Sequence, residues 1–325
     1  MPTSRHDRAR DQILEDHLHR LHAVDGVLSW VADEQRRARA LRDHAIREAA
    51  EAGLSLRQIG GALGLSAQGV RSTLPGTPAI YDQIGTTYAQ TRQPDPHIQA
   101  AIWAALEGAR TVVNVGAGTG SYEPPETLLA VEPSLVMVAQ RPPGLAPAAI
   151  TTADRIPLPD HSVDAALCSL TIHHWPDLEA GLAEVRRVAR RAVIFTWDQT
   201  VARDFWLIRD YLPEYADADD ARAISIDRLC DLLDTTDIRT VPVPRDCTDG
   251  FLGAFWARPE AYLDPIIRAG ISGFAQLDAP TTERGLTHLL QDLRTRTWHR
   301  RHTALLKRTE LDLGYRLIVA NWSTD

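Results

Sequence analysis

From Leu14 onward the apolar positions recur at three-, four- and seven-residue spacing: Leu14, Leu18, Leu21 and Leu28, with Val24 and Val27 widening the stripe. This is the period of one helix face, so the chain is predicted to open on helices. A second helical pattern runs from Asp33 to Ala52 and stops at Gly53, where a glycine can take the left-handed cap. A compact unit follows from Ser55 to Leu74. Ser55 and Ser66 are placed as N-caps, Gly64 suits a tight turn, and Ile59, Leu63, Leu65, Val70 and Leu74 are set to hold two short helices together. Pro75-Gly76-Thr77-Pro78 then stops any helix. Beyond it short apolar runs alternate with helical stretches. Strands are predicted at 111–115, 127–131, 165–170 and 192–197, with two more at 239–245 and 313–320, and helices at 97–107 and 178–187. That alternation is the signature of a sheet with crossover helices. The reading is an all-α domain over residues 1–76 and an α/β domain over 77–325.

Composition narrows the partners. Of 325 residues, 44% are hydrophobic and 24% charged, and no apolar run approaches the roughly 18 residues of a membrane span. Met1 to Arg10 is polar without an apolar core behind it, so the expectation is a soluble, cytoplasmic protein with no membrane attachment. Cys168, Cys230 and Cys247 lie far apart, outside any metal-ligand spacing, and read as free thiols with no metal site. The net charge of −8 is uneven: 11 arginines face 10 acids in residues 1–76, leaving 24 basic and 33 acidic residues beyond. An acidic second domain is a poor grip for a polyanion, which points to a small-molecule substrate.

The strongest local signal is Thr111 to Gly120, a buried strand running into Gly116, Gly118 and Gly120. Glycines let the backbone approach a ligand closely, and a helix start beyond them would offer N–H groups to a negative group. By itself this pattern would equally suit a nicotinamide cofactor. The next strand ends in Glu132-Pro133, a carboxylate able to accept both hydroxyls of a ribose. The interval from Gly120 to Glu132 is short, and Pro124-Pro125 predicts a tight loop in place of most of the first helix.

Three further segments stand in order with these: Tyr81-Asp-Gln-Ile-Gly-Thr-Thr-Tyr88-Ala-Gln-Thr-Arg92, Ala153-Asp154-Arg-Ile156-Pro157-Leu158 continuing to Asp164, and Thr171-Ile-His173-His174-Trp175. Together the five motifs resemble class I S-adenosylmethionine (SAM)-dependent methyltransferases, in the small-molecule branch that includes ubiquinone- and trans-aconitate-type enzymes. The resemblance implies a Rossmann-like sheet and SAM as cofactor. It implies that Gly116 and the adjoining backbone, with Gly118, Gly120 and Asn114, hold the methionine end, and that Tyr81, Tyr88 and Arg92 close over it with Arg92 near the carboxylate. Glu132, with Pro133 beside it, would bind the ribose, and Thr152, Ala153, Asp154 and Leu170 would complete the cofactor site. Two positions depart from the pattern. Asn114 stands where the family often has an acid, and Thr152 where many relatives have the aspartate that accepts the adenine amino group; the Thr152 hydroxyl or Asp154 would substitute.

His173 and His174 follow the fourth strand, at the sheet edge where ligands sit in this architecture. Either could take a proton from an attacking hydroxyl or amine, or both could only shape the pocket with Trp175. Residues 246–312 read as a helical insertion whose Phe251, Trp256 and Trp298 are candidate substrate contacts in a lid, or else core. Trp298-His299-Arg300-Arg301 is a basic cluster that could meet an anionic group or face solvent. The implied activity is transfer of the SAM methyl to an O, N or C nucleophile of a small metabolite. The competing reading comes from Ser55 to Leu74, which resembles the helix-turn-helix of bacterial regulators: a SAM-responsive DNA-binding protein with Ala67, Gln68, Arg71 and Ser72 facing bases. One cation on that recognition helix and a nearly neutral domain disfavour DNA and favour a homodimer seam along Leu14–Leu28. Nucleic-acid methylation is disfavoured too, since His173-His174-Trp175 replaces the Pro-Pro-aromatic motif of amino-group DNA methyltransferases.

Overall fold

The computed structural model describes Arg42, Ile46, Ala49, residues 52–63, Val70, residues 91–220 and residues 224–322. The chain divides into two compact units, Met1–Thr77 and Pro78–Asp325.

In the first unit helix α1 spans Leu56–Leu63. Ser55 starts it through a reciprocal cap: its hydroxyl accepts from the Gln58 amide at 3.4 Å, while Gln58 Oε1 accepts from the Ser55 amide at 3.0 Å. The pair satisfies two donors that a helix start leaves open. Ile46, Ile59 and Val70 are buried against one another, with Ala49 beside them. Leu63, expected in this core, is the last residue of the helix and is 43% exposed. Leu14–Leu28, Gly64 to Gly69, Arg71 to Pro78, Tyr81 and Tyr88 lie outside the described residues.

The second unit is a seven-stranded sheet: β1 (Val112–Val115), β2 (Thr127–Val131), β3 (Ala148–Ala149), β4 (Ala165–Ser169), β5 (Arg191–Trp197), β6 (Asp237–Thr240) and β9 (Tyr315–Asn321), in the order β3-β2-β1-β4-β5-β9-β6. Strands β1 to β5 pair in parallel, and β9 inserts antiparallel between β5 and β6. Alternate side chains feed two cores, as the two-residue strand period requires. In β4, Ala165 and Leu167 join one core while Ala166 and Cys168 join the other. Helix α2 (Pro96–Ala105) covers the first core with Ile98 and Ile102, and Asp95 caps it by accepting from the amides of His97 and Ile98. After α3 (Leu135–Val138), helix α4 (Leu178–Val188) packs Leu182, Val185 and Val188 on the second core. The chain then runs through α5 (Gln199–Ala202), α6 (Trp206–Tyr211), α7 (Glu214–Asp220) and α8 (Ile226–Leu233). Burying each large apolar side chain on these faces contributes about 1.5–3 kcal/mol before entropy is counted.

Two expectations need correcting. The run expected as one strand over 239–245 is split, because Pro242 and Pro244 cannot donate to a ladder. Asp237–Thr240 stays in the sheet, whereas β7 (Val243–Pro244) pairs with β8 (Glu310–Leu311) in a separate two-stranded ribbon. Between β1 and β2, residues 116–126 form turns and no helix, which the short interval and Pro124-Pro125 predict. The helix N-terminus expected beyond Gly120 is therefore absent, and the amides of Gly116 and Ala117 donate instead to the Val131 carbonyl at 2.8 and 3.0 Å. Residues 246–312 carry short 3-10 turns with α9 (Pro265–Ala269), α10 (Ala279–Arg294) and α11 (Thr297–Arg301).

Candidate functional site

The strand order reverses between β1 and β4, and at their carboxyl ends opens a cleft of about 860 Å³. In open α/β sheets this crevice is where ligands bind. Its floor is backbone. Gly116 has a φ of +70° and a Cβ there would overlap the Thr171 hydroxyl; Gly118 has a φ of +54°. Both positions require glycine, one for close approach and both for the left-handed conformation. Glu132, at the end of β2, is 7% exposed. One of its carboxylate oxygens accepts from the Gly118 amide and the other from the Ser134 amide, each at 2.8 Å. The acid thus fixes the loop opposite while facing the cleft. Thr152, Ala153, Pro133 and Trp175 line the rest, and the Trp175 indole N–H donates to the Thr171 hydroxyl at 3.3 Å.

Asn114 also lines this cleft. Its amide nitrogen donates to Glu123 Oε2 at 2.9 Å, and Glu123 in turn takes Arg141 Nη2 at 2.8 Å on each oxygen. All three side chains are buried, so Asn114 is held in orientation by an ion pair behind it. The sequence carries no local sign of this pair, since Glu123 and Arg141 meet only once the loop after β1 is folded.

A second cavity of about 710 Å³ adjoins the first, and Arg92 and Leu170 line both. Leu170 holds a φ of +49°, strained for a branched side chain, with its amide donating to the Phe195 carbonyl at 2.8 Å. That kink releases the chain into the 3-10 turn Ile172–His174, whose two histidines line different cavities: His174 the cleft and His173 the second cavity. Their ring centroids are 3.8 Å apart, and His173 packs edge-on against Trp197 at 4.5 Å. Aromatic walls come from Trp197, Phe205, Tyr215, Phe251 and Tyr315. Burial pushes the Tyr315 phenol well above its ordinary pKa, so it remains neutral.

Arg92 Nε lies 2.6 Å from Oδ1 of Asp249, which is fully buried and also accepts from the Tyr122 hydroxyl at 2.7 Å. Burial, then the Asp249 charge, raise the Tyr122 pKa far above the ordinary phenol value. Arg92 and Asp249 also form an isolated antiparallel bridge, stitching the segment after Thr91 to the loop that leads to Phe251.

Of the residues singled out from sequence, the fold brings Arg92, Asn114, Gly116, Gly118, Glu132, Pro133, Thr152, Ala153, Leu170, His174 and Trp175 to the cleft. Gly120 lies behind it, where a Cβ would overlap Leu145, and Asp154 is instead 3.8 Å from Arg155. His173 and Phe251 line the second cavity. Trp256 and Trp298 line neither. Trp256 is buried with its indole donating to the Val243 and Pro244 carbonyls, and Trp298 packs edge-on against Trp206 at 5.1 Å. The basic cluster is likewise engaged elsewhere, Arg301 lying 3.4 Å from Asp292. Sequence reasoning missed Asp219, Tyr215, Ile271 and Ser272 of the second cavity.

A doubly wound sheet with a glycine loop after β1 and a carboxylate closing β2 defines a nucleoside-binding α/β protein. Residues 113–196 match the family model for a methyltransferase domain. The fold aligns with a crystal structure of a protein assigned as a methyltransferase from an antibiotic biosynthesis pathway of Anabaena variabilis, at 34% identity and a TM-score of 0.66, covering 71% of this chain and 99% of that one. A SAM-dependent methyltransferase from Thermotoga maritima aligns at 24% identity and a TM-score of 0.42, over 50% of this chain and 84% of its own. No curated protein matches the chain. The chain belongs to the class I SAM-dependent methyltransferases, and its cofactor is SAM.

Proposed function

We propose that the protein transfers a methyl group to an O, N or C nucleophile of a small molecule held in the second cavity, with the cofactor in the cleft at the strand ends. The observation that carries this reading is the junction: the two adjoining cavities share Arg92 and Leu170, with His174 on one side and His173 on the other. The cleft suits the cofactor on two counts, the glycine cradle over Thr171 and the buried Glu132 carboxylate. Bound SAM supplies an electrophilic methyl on a sulfonium.

The chain's own residues do the rest. Glu132 accepts the two ribose hydroxyls, and the Asn114 amide, whose donor side is committed to Glu123, offers its oxygen to the ammonium. Arg92 sits between the cavities as a cation already oriented by Asp249, suited to the methionine carboxylate. The aromatic walls exclude water and hold the acceptor, and positioning of this kind supplies much of the rate in a displacement. His173 takes the proton that an attacking hydroxyl or amine gives up.

The test is to incubate the protein with SAM and a panel of small hydroxyl, amine and activated-carbon acceptors, following S-adenosylhomocysteine by mass spectrometry. Formation that depends on one acceptor and falls about 100-fold in His173→Ala, within the usual range for a lost general base, is expected. Acceptor-dependent turnover unchanged in His173→Ala would remove the proton-acceptor role. Tight binding of S-adenosylhomocysteine without turnover on any acceptor would count against a methyl-transfer enzyme.

A further inference from the structure

An asparagine amide has an accepting end and a donating end, and which of them Asn114 turns to the cleft is decided behind the strand. The turns after β1 tuck Glu123 under it. Tyr122 holds a φ of +63° with its carbonyl accepting from the Trp103 indole at 3.1 Å, and the Glu123 amide donates to the Gly120 carbonyl at 3.3 Å. Glu123 Oε2 then takes the Asn114 amide nitrogen at 2.9 Å. Arg141, in the turn after α3, gives Nη2 to both Glu123 oxygens at 2.8 Å, and the Ala146 amide donates to Oε1 at 3.0 Å. The Glu123 and Arg141 side chains are 1% and 5% exposed, so acid and guanidinium meet each other away from solvent. Of the three residues only Asn114 lines the cleft, and its Oδ1 meets no donor among the described residues.

An ionised carboxylate only accepts, so the end of Asn114 that faces Glu123 must be the nitrogen. Turning the amide over would set Oδ1 against Oε2, two acceptors in a dry contact, and would leave the Glu123 oxygen short of a donor. Glu123 therefore dictates that an oxygen is presented to the cleft, and an oxygen suits a cationic ligand group. The same contact bars the acid that the family often has at this position: Asn114→Asp would bring a second carboxylate to the place of a nitrogen 2.9 Å from the first. Moving the acid to position 114 and the amide to position 123 together would instead keep one acid, one amide and one guanidinium, with the hydrogen bond between them reversed.

We infer that Glu123, paired with Arg141, is a positioning residue for the amino-acid end of the cofactor: it fixes the Asn114 amide with Oδ1 toward the ammonium, and the acid and amide at these two positions are exchangeable only as a pair. This rests on the reading that places the cofactor in the cleft. Glu123 itself touches no ligand and acts through Asn114.

The experiment titrates two ligands by calorimetry into the full-length protein: S-adenosylhomocysteine and 5′-methylthioadenosine, which shares the adenosine and the thioether and lacks the amino-acid end. Wild type is compared with Asn114→Asp, Glu123→Gln and the double variant Asn114→Asp/Glu123→Gln. Each single change is expected to weaken S-adenosylhomocysteine about 10- to 100-fold, the range for a hydrogen bond to a charged group. The double variant should recover most of that affinity, and 5′-methylthioadenosine should bind all four proteins alike. Should a single variant fail to fold, the double variant decides: folded and still preferring S-adenosylhomocysteine, it supports the inference; folded without that preference, it overturns it. Unchanged S-adenosylhomocysteine affinity in the single variants, no recovery in the double variant, or a parallel loss of 5′-methylthioadenosine, which a merely structural role would give, would each overturn it. Glu132→Ala, measured alongside, separates two failures. If it weakens both ligands while the Glu123 and Asn114 changes weaken neither, the positioning role alone falls; if it too leaves both unchanged, the placement of the cofactor in the cleft falls with it.

Discussion

The cleft at the strand ends is floored by backbone: Gly116, Ala117 and Gly118 face it directly, and a single acid, Glu132, pins that loop through the Gly118 amide while its other oxygen accepts from the Ser134 amide. The cavity beyond Arg92 is walled by side chains drawn from α5, α6, α7, the loop at Phe251 and the start of β9. Backbone positions tolerate almost no change of residue, while side-chain walls change shape with each substitution. One site is therefore suited to a fixed ligand and the other to a ligand that differs between relatives. On the proposed reading the first holds the constant cofactor and the second sets specificity.

The largest expected effect comes from breaking the stitch between them. Arg92→Met leaves Asp249 charged and fully buried beside Tyr122, and stranding one partner of a buried pair costs about 3–5 kcal/mol. Denaturant unfolding should register this loss, and both S-adenosylhomocysteine and acceptor binding should weaken together. An unchanged midpoint would mean the two cavities do not share this support.

Next comes a change confined to the backbone-floored site. Gly116→Ala drives a methyl into the Thr171 hydroxyl at a φ of +70°, an overpacking of about 1–3 kcal/mol. Cofactor binding should be lost well before the fold, and Thr171→Ala in the same chain should restore part of it. Phe251→Leu, in the side-chain-walled site, should cost no more than about 1.5 kcal/mol of stability. It should raise the acceptor KM and leave S-adenosylhomocysteine affinity where it was; a change in cofactor affinity instead would show that the cavities are one.

The distinction also explains what the sequence made legible. Gly116, Glu132 and the strands bearing them are adjacent in the chain, and strand period, glycines and the terminal acid are local signals. Pro124-Pro125 even forecast the missing first helix. The Arg92–Asp249 and Tyr122–Asp249 contacts span 157 and 127 residues, and no local pattern announces them. Aromatic content was equally silent about depth: Phe251 faces a cavity while Trp256, five residues on, is buried with its indole bonded to two carbonyls. Ser55 was readable as a cap because Gln58 completes it three residues later.

The smallest effect lies behind the side-chain-walled cavity. Burial among Trp206 and Trp298 lowers the His302 pKa below its ordinary value, against the opposing pull of Asp210. The unfolded chain then binds the extra proton more readily than the folded one at pH values just below 6.5. Stability should accordingly fall as pH drops through that window, and His302→Gln should flatten the slope in melting curves taken between pH 7 and pH 5. A slope identical in both proteins would assign the acid sensitivity to other groups.

The central claim is that Glu132 holds the cofactor ribose at the strand ends, and calorimetric titration of S-adenosylhomocysteine into wild type, Glu132→Gln and Glu132→Ala tests it directly. Loss of two hydrogen bonds to a charged acceptor should weaken binding by about 2–4 kcal/mol in Glu132→Ala, with Glu132→Gln intermediate and both variants still folded by melting curve. Wild-type affinity in a folded Glu132→Ala protein would contradict the account.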